Sequence, residues 1–267
     1  MKARPLDWKR IDAAITGGCL VNAETASTND DARVLAMGGA GHGVMVLAES
    51  QSAGRGRRGA KWVSPPRRNL LCSVLLYPPL PVEKWSRLTH ACALAVCEAL
   101  EELPGLPPPK IKWPNDVFLS GRKVCGILVE SAVPARGGFA IAGVGVNLNL
   151  AADDLPEELR RTATSVWMEL GGVEVSREEF TISFHRRLMV QCERAAHDFP
   201  SLLGECEARS FLNGMRVRLM SGERELEGLV EGTGPEGELR LAMDDGSVRL
   251  VSSADFVRPV SSPGISD

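Results

Sequence analysis

The stretch ESQSAGRGRRGAKW, residues 49–62, fits more than one known functional loop. Its centre, residues 54–59, matches the G-x-G-x-x-G turn of dinucleotide-binding domains, where a strand leads into a helix whose N-terminus holds the pyrophosphate. The apolar run VMVLAES (44–50) supplies a strand, but Pro65-Pro66 after the loop forbids the helix. No Asp or Glu ends a second parallel strand at the expected distance. The sequence therefore excludes a dinucleotide-binding domain.

The same stretch lacks the lysine and hydroxyl of a P-loop, G-x-x-x-x-G-K-[ST]. Gly54 and Gly59 have the right separation, but Ala60 stands where the lysine is required. What remains is a glycine-rich loop that carries Arg55, Arg57, Arg58 and Lys61. Glycine allows tight turns and mobility, and arginine binds carboxylate or phosphate through paired hydrogen bonds. We expect a loop that is mobile without ligand and binds a small anion, although a solvated surface loop or a nucleic-acid contact would fit the same pattern.

Apolar periodicity predicts a mixed arrangement of strands and helices around this loop. The predicted strands are 19–22, 44–50, 69–76, 110–113, 117–119, 123–131 and 139–149. Ser120-Gly121 is predicted to be a hairpin turn. A short helix is expected after Ser27 or Thr28 as its cap, a long one over residues 83–103, and another opened by a capping box of Ser176 and Glu179, with Phe180, Phe184 and Leu188 on one face. Residues 151–166 show no clear period and indicate a mobile loop.

From about Gly214 the pattern changes to short alternating segments. MRVRLM, ELEGLVEG, ELRLAM and SVRLVS are separated by turns such as SGE, GPEG and DDG. Such spacing is typical of a small barrel of the SH3 type. We therefore predict an α+β protein with a mixed-sheet domain over residues 1–211 and a small β-barrel over residues 212–267.

Composition excludes several classes of protein. The 267 residues are 44% hydrophobic and 24% charged, the balance of a globular chain, and no apolar run approaches a membrane span. The N-terminus shows no secretory signal. Seven cysteines without C-x-x-C spacing indicate free thiols in a reducing cytoplasm, and four scattered histidines form no metal pattern. The net charge of −3 argues against a wholly basic, nucleic-acid-binding surface, so any positive site must be local.

Three further stretches are as unusual as the loop. They are Ser27-Thr28-Asn29, then KWPNDV (112–117), then RKVCGILVES (122–131) followed by GVGVNLN (143–149). Each alone is better explained structurally, since Asn-Asp after proline is ordinary turn chemistry and Gly126 could mark a bulge. In this order, with Q-x-A-G-R-G-R-R-G-x-K-W between the first two and A-T-S-V (163–166) beyond, the chain resembles biotin protein ligases over about residues 20–260.

The resemblance implies a class II synthetase-like catalytic domain with a C-terminal SH3-like barrel. It also implies a two-step reaction with ATP, biotin and Mg²⁺: biotin is activated as biotinyl-5′-AMP, then transferred to one lysine of a biotin carboxyl carrier domain. The implied catalytic residues are Arg57, Lys123 and Asp116. The implied biotin contacts are Ser27, Thr28, Gln51, Gly54, Arg55, Arg57, Lys123 and Gly126. The implied nucleotide contacts are Arg55, Arg57, Trp62, Lys112, Asn115, Asp116 and Asn147, with residues 151–165 over the adenosine.

These roles make chemical sense. A carboxylate reacts poorly with a polyphosphate, so cations must bring the two together and stabilise the developing charge. The neutral ureido ring both donates and accepts hydrogen bonds, which suits Ser27, Thr28 and Gln51. Asp116 could take the proton of the incoming lysine, whose usual pKa is about 10.4 and which must be neutral to attack.

The sequence leaves two rival functions. A lipoate or octanoate protein ligase shares the architecture, but its apolar acyl group would not need the polar residues 27, 28 and 51. A non-enzymatic nucleic-acid or partner-binding module would use the basic loop alone. With 26 residues before Ser27 there is no room for the N-terminal winged helix of family members that repress transcription, so we expect no DNA binding. A homodimer is possible through exposed sheet edges, and no membrane association is expected.

Overall fold

The structure is a computed structural model that describes residues 4–134 and 137–260. Its helices are α1 (Trp8–Asp12), α2 (Thr28–Met37), α3 (Arg87–Glu101), α4 (Val166–Glu169), α5 (Arg177–His197) and α6 (Phe199–Ala208). Its strands are β1 (Cys19–Asn22), β2 (Met45–Ala48), β3 (Leu70–Leu76), β4 (Lys110–Lys112), β5 (Asp116–Leu119), β6 (Arg122–Ala132), β7 (Phe139–Val146), β8 (Arg216–Ser221), β9 (Arg224–Thr233), β10 (Leu239–Ala242), β11 (Val248–Val251) and β12 (Phe256–Pro259).

The first seven strands form one mixed sheet, which confirms the predicted α+β class. Their order is β1-β2-β3-β7-β6-β5-β4, with β1 and β2 parallel and every other neighbouring pair antiparallel. All seven residues of β3 are buried, as its continuous apolar run predicts.

The two faces of this sheet carry different layers. Because successive side chains of a strand point to opposite faces, Val74 and Val144 join the main core with α3 and α5. Leu75 and Ile141 point the other way and pack against α2. Ser73 has the same parity as Leu75, so it also lies on the α2 face, and this face carries the candidate site.

Several local predictions are confirmed. Ser120 and Gly121 both have positive φ, 48° and 76°, which is the type I′ geometry of a tight hairpin between β5 and β6. Ser176 Oγ accepts a hydrogen bond from the backbone N–H of Glu179 at 3.2 Å at the start of α5. Ser27 is the N-cap of α2, but its side chain makes no capping hydrogen bond. Acidic residues in the first turn of α2 stabilise its N-terminus instead.

Sequence reasoning missed helices α4 and α6 and strand β12, and it misjudged one further segment. Only Asp198 separates α5 from α6, and a proline lies in the first turn of α6. The search for apolar runs in the sequence did not reveal this second helix. Strand β12 is only four residues long. Residues 151–166 contain two 3₁₀ turns, 152–154 and 157–159, so the segment is not simply irregular. Its mobility stays a prediction.

The C-terminal strands form a separate antiparallel sheet in the order β11-β10-β9-β8-β12. A turn of this unit docks on the first domain. Trp113 Nε1 donates to the carbonyl of Gly237 at 3.0 Å, and Arg87 binds both carboxylate oxygens of Glu236 at 2.8 Å. The small β unit is as predicted, and the exact boundary between residues 211 and 212 stays a prediction.

His90 of α3 is buried against this docked turn, and its protonation is expected to destabilise the protein in acid. Burial lowers its pKa from 6.5 to about 4, against smaller opposing effects of Gly237 and Glu238. Since the unfolded chain binds the proton of His90 more readily than the folded chain, the free energy of unfolding falls as the pH drops below 6.5. This loss of stability is complete near pH 4. It amounts to at most about 3 kcal/mol.

We therefore expect the free energy of unfolding, measured with urea, to fall between pH 6.5 and 4.5. His90→Leu should be less stable at neutral pH but show a flatter slope over this window. His197→Gln, at an exposed histidine, is the matched control and should keep the wild-type slope. An unchanged slope in His90→Leu would show that His90 is not the titrating group.

The seven cysteines all lie within the described residues. All seven cysteines are unpaired and six of them are buried. No helix in residues 4–134 and 137–260 is long and apolar enough to cross a membrane.

Candidate active site

The floor of the site is a strip of glycines on β6 and β7. Gly126 pairs with Gly145 across the ladder, and the indole of Trp62 covers the pair. A Cβ on Gly145 would stand 2.6 Å from Trp62 Cε2, and one on Gly126 would stand 2.9 Å from Cζ3. Gly143, two residues along β7, leaves the same kind of space for Asn29. Any larger residue here would push these side chains off the sheet.

The glycine–arginine stretch forms a short hairpin over this floor, which we call the lid hairpin (residues 54–62). The N–H of Trp62 donates to the carbonyl of Gly54 at 2.9 Å, and the N–H of Gly56 donates to the carbonyl of Ala60 at 2.6 Å. Its tip is a 3₁₀ turn in which Arg58 has a φ of 56°. The Arg58 side chain forms an ion pair with Asp255 of the C-terminal unit. The lid hairpin therefore bridges the two units.

The lid hairpin, the start of α2 and the glycine floor enclose a cavity of about 210 Å³. Ser27, Thr28 and Gln51 line one end of it, and their contact with biotin stays a prediction. The N–H of Thr28 donates to Gln51 Oε1 at 2.9 Å. Gly54 allows this placement, because a Cβ there would stand 3.0 Å from Gln51 Nε2. This end of the cavity is uncharged and polar.

The other end of the cavity is cationic. Lys123 Nζ lies 2.6 Å from Asp116 Oδ1 and 5.6 Å from the centre of the Trp62 ring. Arg57 Nη1 reaches Asn115 Oδ1 at 3.5 Å. Burial lowers the pKa of the Arg57 guanidinium, although Asp116 opposes this. The cations here exceed the carboxylates, so an anion bound between them would relieve the cost of their burial.

Arg55 is placed differently from the other predicted anion contacts. It lines the cavity, but its two terminal nitrogens donate to the carboxylate of Asp30 on α2 at 2.7 and 2.6 Å. That hydrogen-bonded pair raises the pKa of Arg55 and lowers that of Asp30. In this conformation Arg55 holds the lid hairpin to α2, and its predicted contact with a ligand stays a prediction.

A second cavity of about 290 Å³ continues from the cationic end. Its wall shares Trp62, Asp116 and Lys123 with the first cavity, and Lys112 and Asn147 lie farther in. Burial lowers the pKa of Lys112, whose Nζ stands 5.0 Å from the centre of the Phe118 ring. Asn147 is already engaged, since its Nδ2 donates to the carbonyl of Thr164 at 3.0 Å.

The segment 151–165 covers this second cavity. Leu155, Leu159, Thr162 and Ala163 line it. The backbone of Lys123 holds the segment, donating to the carbonyl of Thr162 and accepting from the N–H of Thr164, both at 2.8 Å. The predicted residues are thus brought together around two joined cavities.

Comparison with known proteins relates this chain to one family of ligases. The biotin/lipoate A/B protein ligase family model matches residues 26–147. A biotin--[acetyl-CoA-carboxylase] ligase of Mycobacterium tuberculosis is 35% identical over 255 residues, which cover 94% of this chain and 89% of the relative. The chain belongs to the biotin protein ligase family.

Two further relatives extend the comparison within the biotin protein ligase family. The bifunctional ligase/repressor BirA of Bacillus subtilis is 34% identical over 86% of this chain and 71% of its own length. The biotin protein ligase of Aquifex aeolicus, solved with biotin and ATP, superposes with a TM-score of 0.79 at 28% identity. That match covers 91% of this chain and 99% of the other.

Sequence reasoning assigned no role to five residues that lie in or behind the candidate site of this biotin protein ligase family member. They are Asn29, Ser73, Glu130, Gly143 and Gly145. Ser73 is the only polar residue in the buried run LLCSVLL, and a lone hydroxyl in a core strand is a usable signal. The glycines of GVGV alternate with valines along β7, so both glycines lie on the same face of the sheet. This pattern indicates that the face has no side chains at these two positions.

Proposed function

We propose that this chain is an ATP-dependent biotin protein ligase that forms biotinyl-5′-AMP and then transfers biotin to a lysine of a biotin carboxyl carrier domain. The observation that carries the proposal is the order of groups along the two joined cavities. An uncharged polar end is followed by a cationic middle at Arg57 and Lys123, and then by a second cavity under residues 151–165. An acyl adenylate has the same order of head, acyl phosphate and nucleoside.

The polar end suits the ureido ring of biotin. That ring has one carbonyl that accepts hydrogen bonds and two N–H groups that donate them, so its site needs both functions in a small space. Ser27, Thr28 and Gln51 provide hydroxyl and amide groups there. The indole of Trp62 lies directly on the glycine floor and gives this part of the cavity a flat apolar wall, which suits the chain that carries the carboxylate.

The cationic middle suits the first chemical step. Two anions, a carboxylate and the α-phosphate, must approach each other, and negative charge grows on the phosphate oxygens as the bond forms. Arg57 and Lys123 are half-buried cations at this place and would stabilise the developing charge. Trp62 Nε1 is a buried donor without an acceptor among the described residues, so it is free to bond a ligand oxygen.

Mg²⁺ is proposed to bind together with the nucleotide. No three His, Cys, Asp or Glu side chains in residues 4–134 and 137–260 are grouped as a metal site. Mg²⁺ commonly binds through substrate phosphates and one or two carboxylates, and Asp116 is the carboxylate at hand in both cavities. When bound, the ion would neutralise phosphate charge.

Asp116 is proposed to accept the proton of the attacking lysine. Asp116→Asn should slow transfer from preformed biotinyl-5′-AMP by about a hundredfold near neutral pH. The deficit should shrink as the pH rises toward the lysine pKa of about 10.4, because the amine then loses its proton unaided. Because Asp116 also contacts Lys123, adenylate formation is measured in the same variant. A deficit in transfer that does not change with pH would exclude the role of base.

Biotin-dependent exchange of pyrophosphate into ATP tests the proposed activity. The protein with Mg-ATP should exchange label when biotin is added and not when lipoate or octanoate is added. Exchange with lipoate alone would favour the rival acyl ligase. Salt-sensitive nucleic-acid binding without any exchange would favour the non-enzymatic module. A cytoplasmic location, a homodimer and the absence of DNA binding remain predictions from the sequence.

A further inference from the structure

Behind the polar end of the first cavity, a chain of hydrogen bonds leads from Thr28 to Glu130. Ser73 Oγ lies 2.7 Å from Thr28 Oγ1 and 2.5 Å from Asn29 Oδ1. Asn29 Nδ2 donates to Glu130 Oε2 at 2.8 Å. Thr28, Asn29 and Ser73 are all at least 96% buried, whereas the Glu130 side chain is 28% exposed. A partly solvated charge is thus connected to the wall of the binding cavity.

The carboxylate of Glu130 sets the direction of every bond in this chain. An ionised carboxylate only accepts hydrogen bonds, so the amide nitrogen of Asn29 must face it and the amide oxygen must face Ser73. The Ser73 hydroxyl therefore donates to Asn29. The Thr28 hydroxyl is then left with two acceptors, Ser73 Oγ and Gln51 Oε1 at 3.2 Å. Whichever it uses, its hydrogen is engaged within the protein, and an oxygen lone pair remains for a ligand.

The orientation of the Gln51 amide is also fixed, so that it presents a donor beside the acceptor at Thr28. A backbone N–H can only donate, and the N–H of Thr28 holds Gln51 Oε1 at 2.9 Å. Gln51 Nε2 is thereby left as a donor for the cavity. An acceptor at Thr28 next to a donor at Gln51 complements an N–H next to a C=O, which is one side of a cyclic urea.

We propose that Glu130 is a positioning residue that sets the hydrogen-bond polarity of the ureido site through Asn29 and Ser73. The proposal rests on the proposed biotin ligase function and adds a residue that does not touch the ligand. Two cations lie close to Glu130, with Arg33 Nη2 at 3.7 Å and Arg55 Nη2 at 4.0 Å. Their positive charge complements the carboxylate at the end of the chain of hydrogen bonds.

The test compares the binding of biotin and of its cyclic carbamate analogue to wild-type protein and Glu130→Gln. In this analogue a ring oxygen replaces the N–H that faces Thr28, so the ring accepts a hydrogen bond there instead of donating one. A glutamine at 130 can donate or accept, which lets the Asn29 amide turn and Ser73 donate to Thr28, leaving only the 3.5 Å contact to the Leu128 carbonyl to hold Asn29. The Thr28 hydroxyl is then able to donate to the ligand, so we expect the dissociation constant for biotin to rise about tenfold and that for the carbamate analogue to rise much less.

Two controls separate this role from a structural one. Arg33→Gln removes a cation beside Glu130 but not the hydrogen bond to Asn29, so it should leave the ratio of the two dissociation constants unchanged. In an Asn29→Ala background, Glu130→Gln should add no further change to the ratio, since the link is already cut. Thermal midpoints of all variants, measured without ligand, show whether folding is affected.

The possible outcomes are distinct. A lower biotin preference in Glu130→Gln that vanishes in the Asn29→Ala background supports the inference. Equal losses for both ligands, or independent and additive effects of the two substitutions, would overturn it while leaving the ligase function intact. Wild-type protein that binds neither ligand would overturn both.

Discussion

Replacing Lys123 with glutamine is expected to slow biotinyl-5′-AMP formation by about two to three orders of magnitude. Lys123 Nζ stands at the junction of the two cavities, 2.6 Å from Asp116 and beside the ring of Trp62. Its charge can stabilise the reacting phosphate only while the acyl phosphate forms, so its loss should reduce the rate more than the affinity for biotin. Single-turnover formation of the adenylate measures the step directly.

Two matched variants sharpen this experiment. Lys123→Arg keeps a positive charge and should recover part of the rate. Lys110→Gln removes an exposed lysine from the edge strand β4, which is separated from β6 by β5, and should retain the wild-type rate. An unimpaired rate in Lys123→Gln would mean that the charge at this junction does not act in activation.

Arg57→Ala is expected to weaken biotin binding by about a hundredfold and to let biotinyl-5′-AMP escape at a similarly increased rate, with folding unaffected. Arg57 is half-buried in the lid hairpin and faces Asn115 across the cavity. Removing it takes away the charged group that the lid hairpin presents to the carboxylate and then to the acyl phosphate. Dissociation of labelled intermediate, chased with unlabelled biotin, gives the escape rate.

The adjacent Arg58 provides the control for Arg57. Its side chain pairs with Asp255 of the C-terminal unit, and asparagine tolerates its left-handed backbone. Arg58→Asn should therefore keep biotin affinity close to wild type. Normal biotin affinity and normal retention of the intermediate in Arg57→Ala would contradict the role assigned to the lid hairpin.

Much of the sheet could be predicted because its strands carry strong local signals. Strand β3 is a continuous apolar run, and the Ser120-Gly121 turn uses residues that tolerate positive φ. Helix α6 was not predicted because it follows α5 after a single residue, so the boundary between the two helices depends on how they pack. Residues 151–166 show no apolar period because only Leu155 and Val166 among their hydrophobic residues are buried, while the backbone of Lys123 holds the segment at Thr162 and Thr164.

The candidate site was predictable in residue type and only partly in geometry. The motifs identified Arg57, Lys123 and Gln51 as cavity residues, and the structure places all three there. The pairing of Arg55 with Asp30 joins positions 25 residues apart and depends on how the lid hairpin meets α2. The role proposed for Glu130 likewise depends on three elements that meet only in the folded chain.

Transfer of labelled biotin to a carrier domain tests the central claim most directly. The protein is incubated with labelled biotin, Mg-ATP and a biotin carboxyl carrier domain, and the carrier is digested and sequenced by mass spectrometry. We predict label on a single lysine, no label when ATP is left out, and no label from lipoate. Absence of label on the carrier with ATP present, or lipoate attached in its place, would contradict the account.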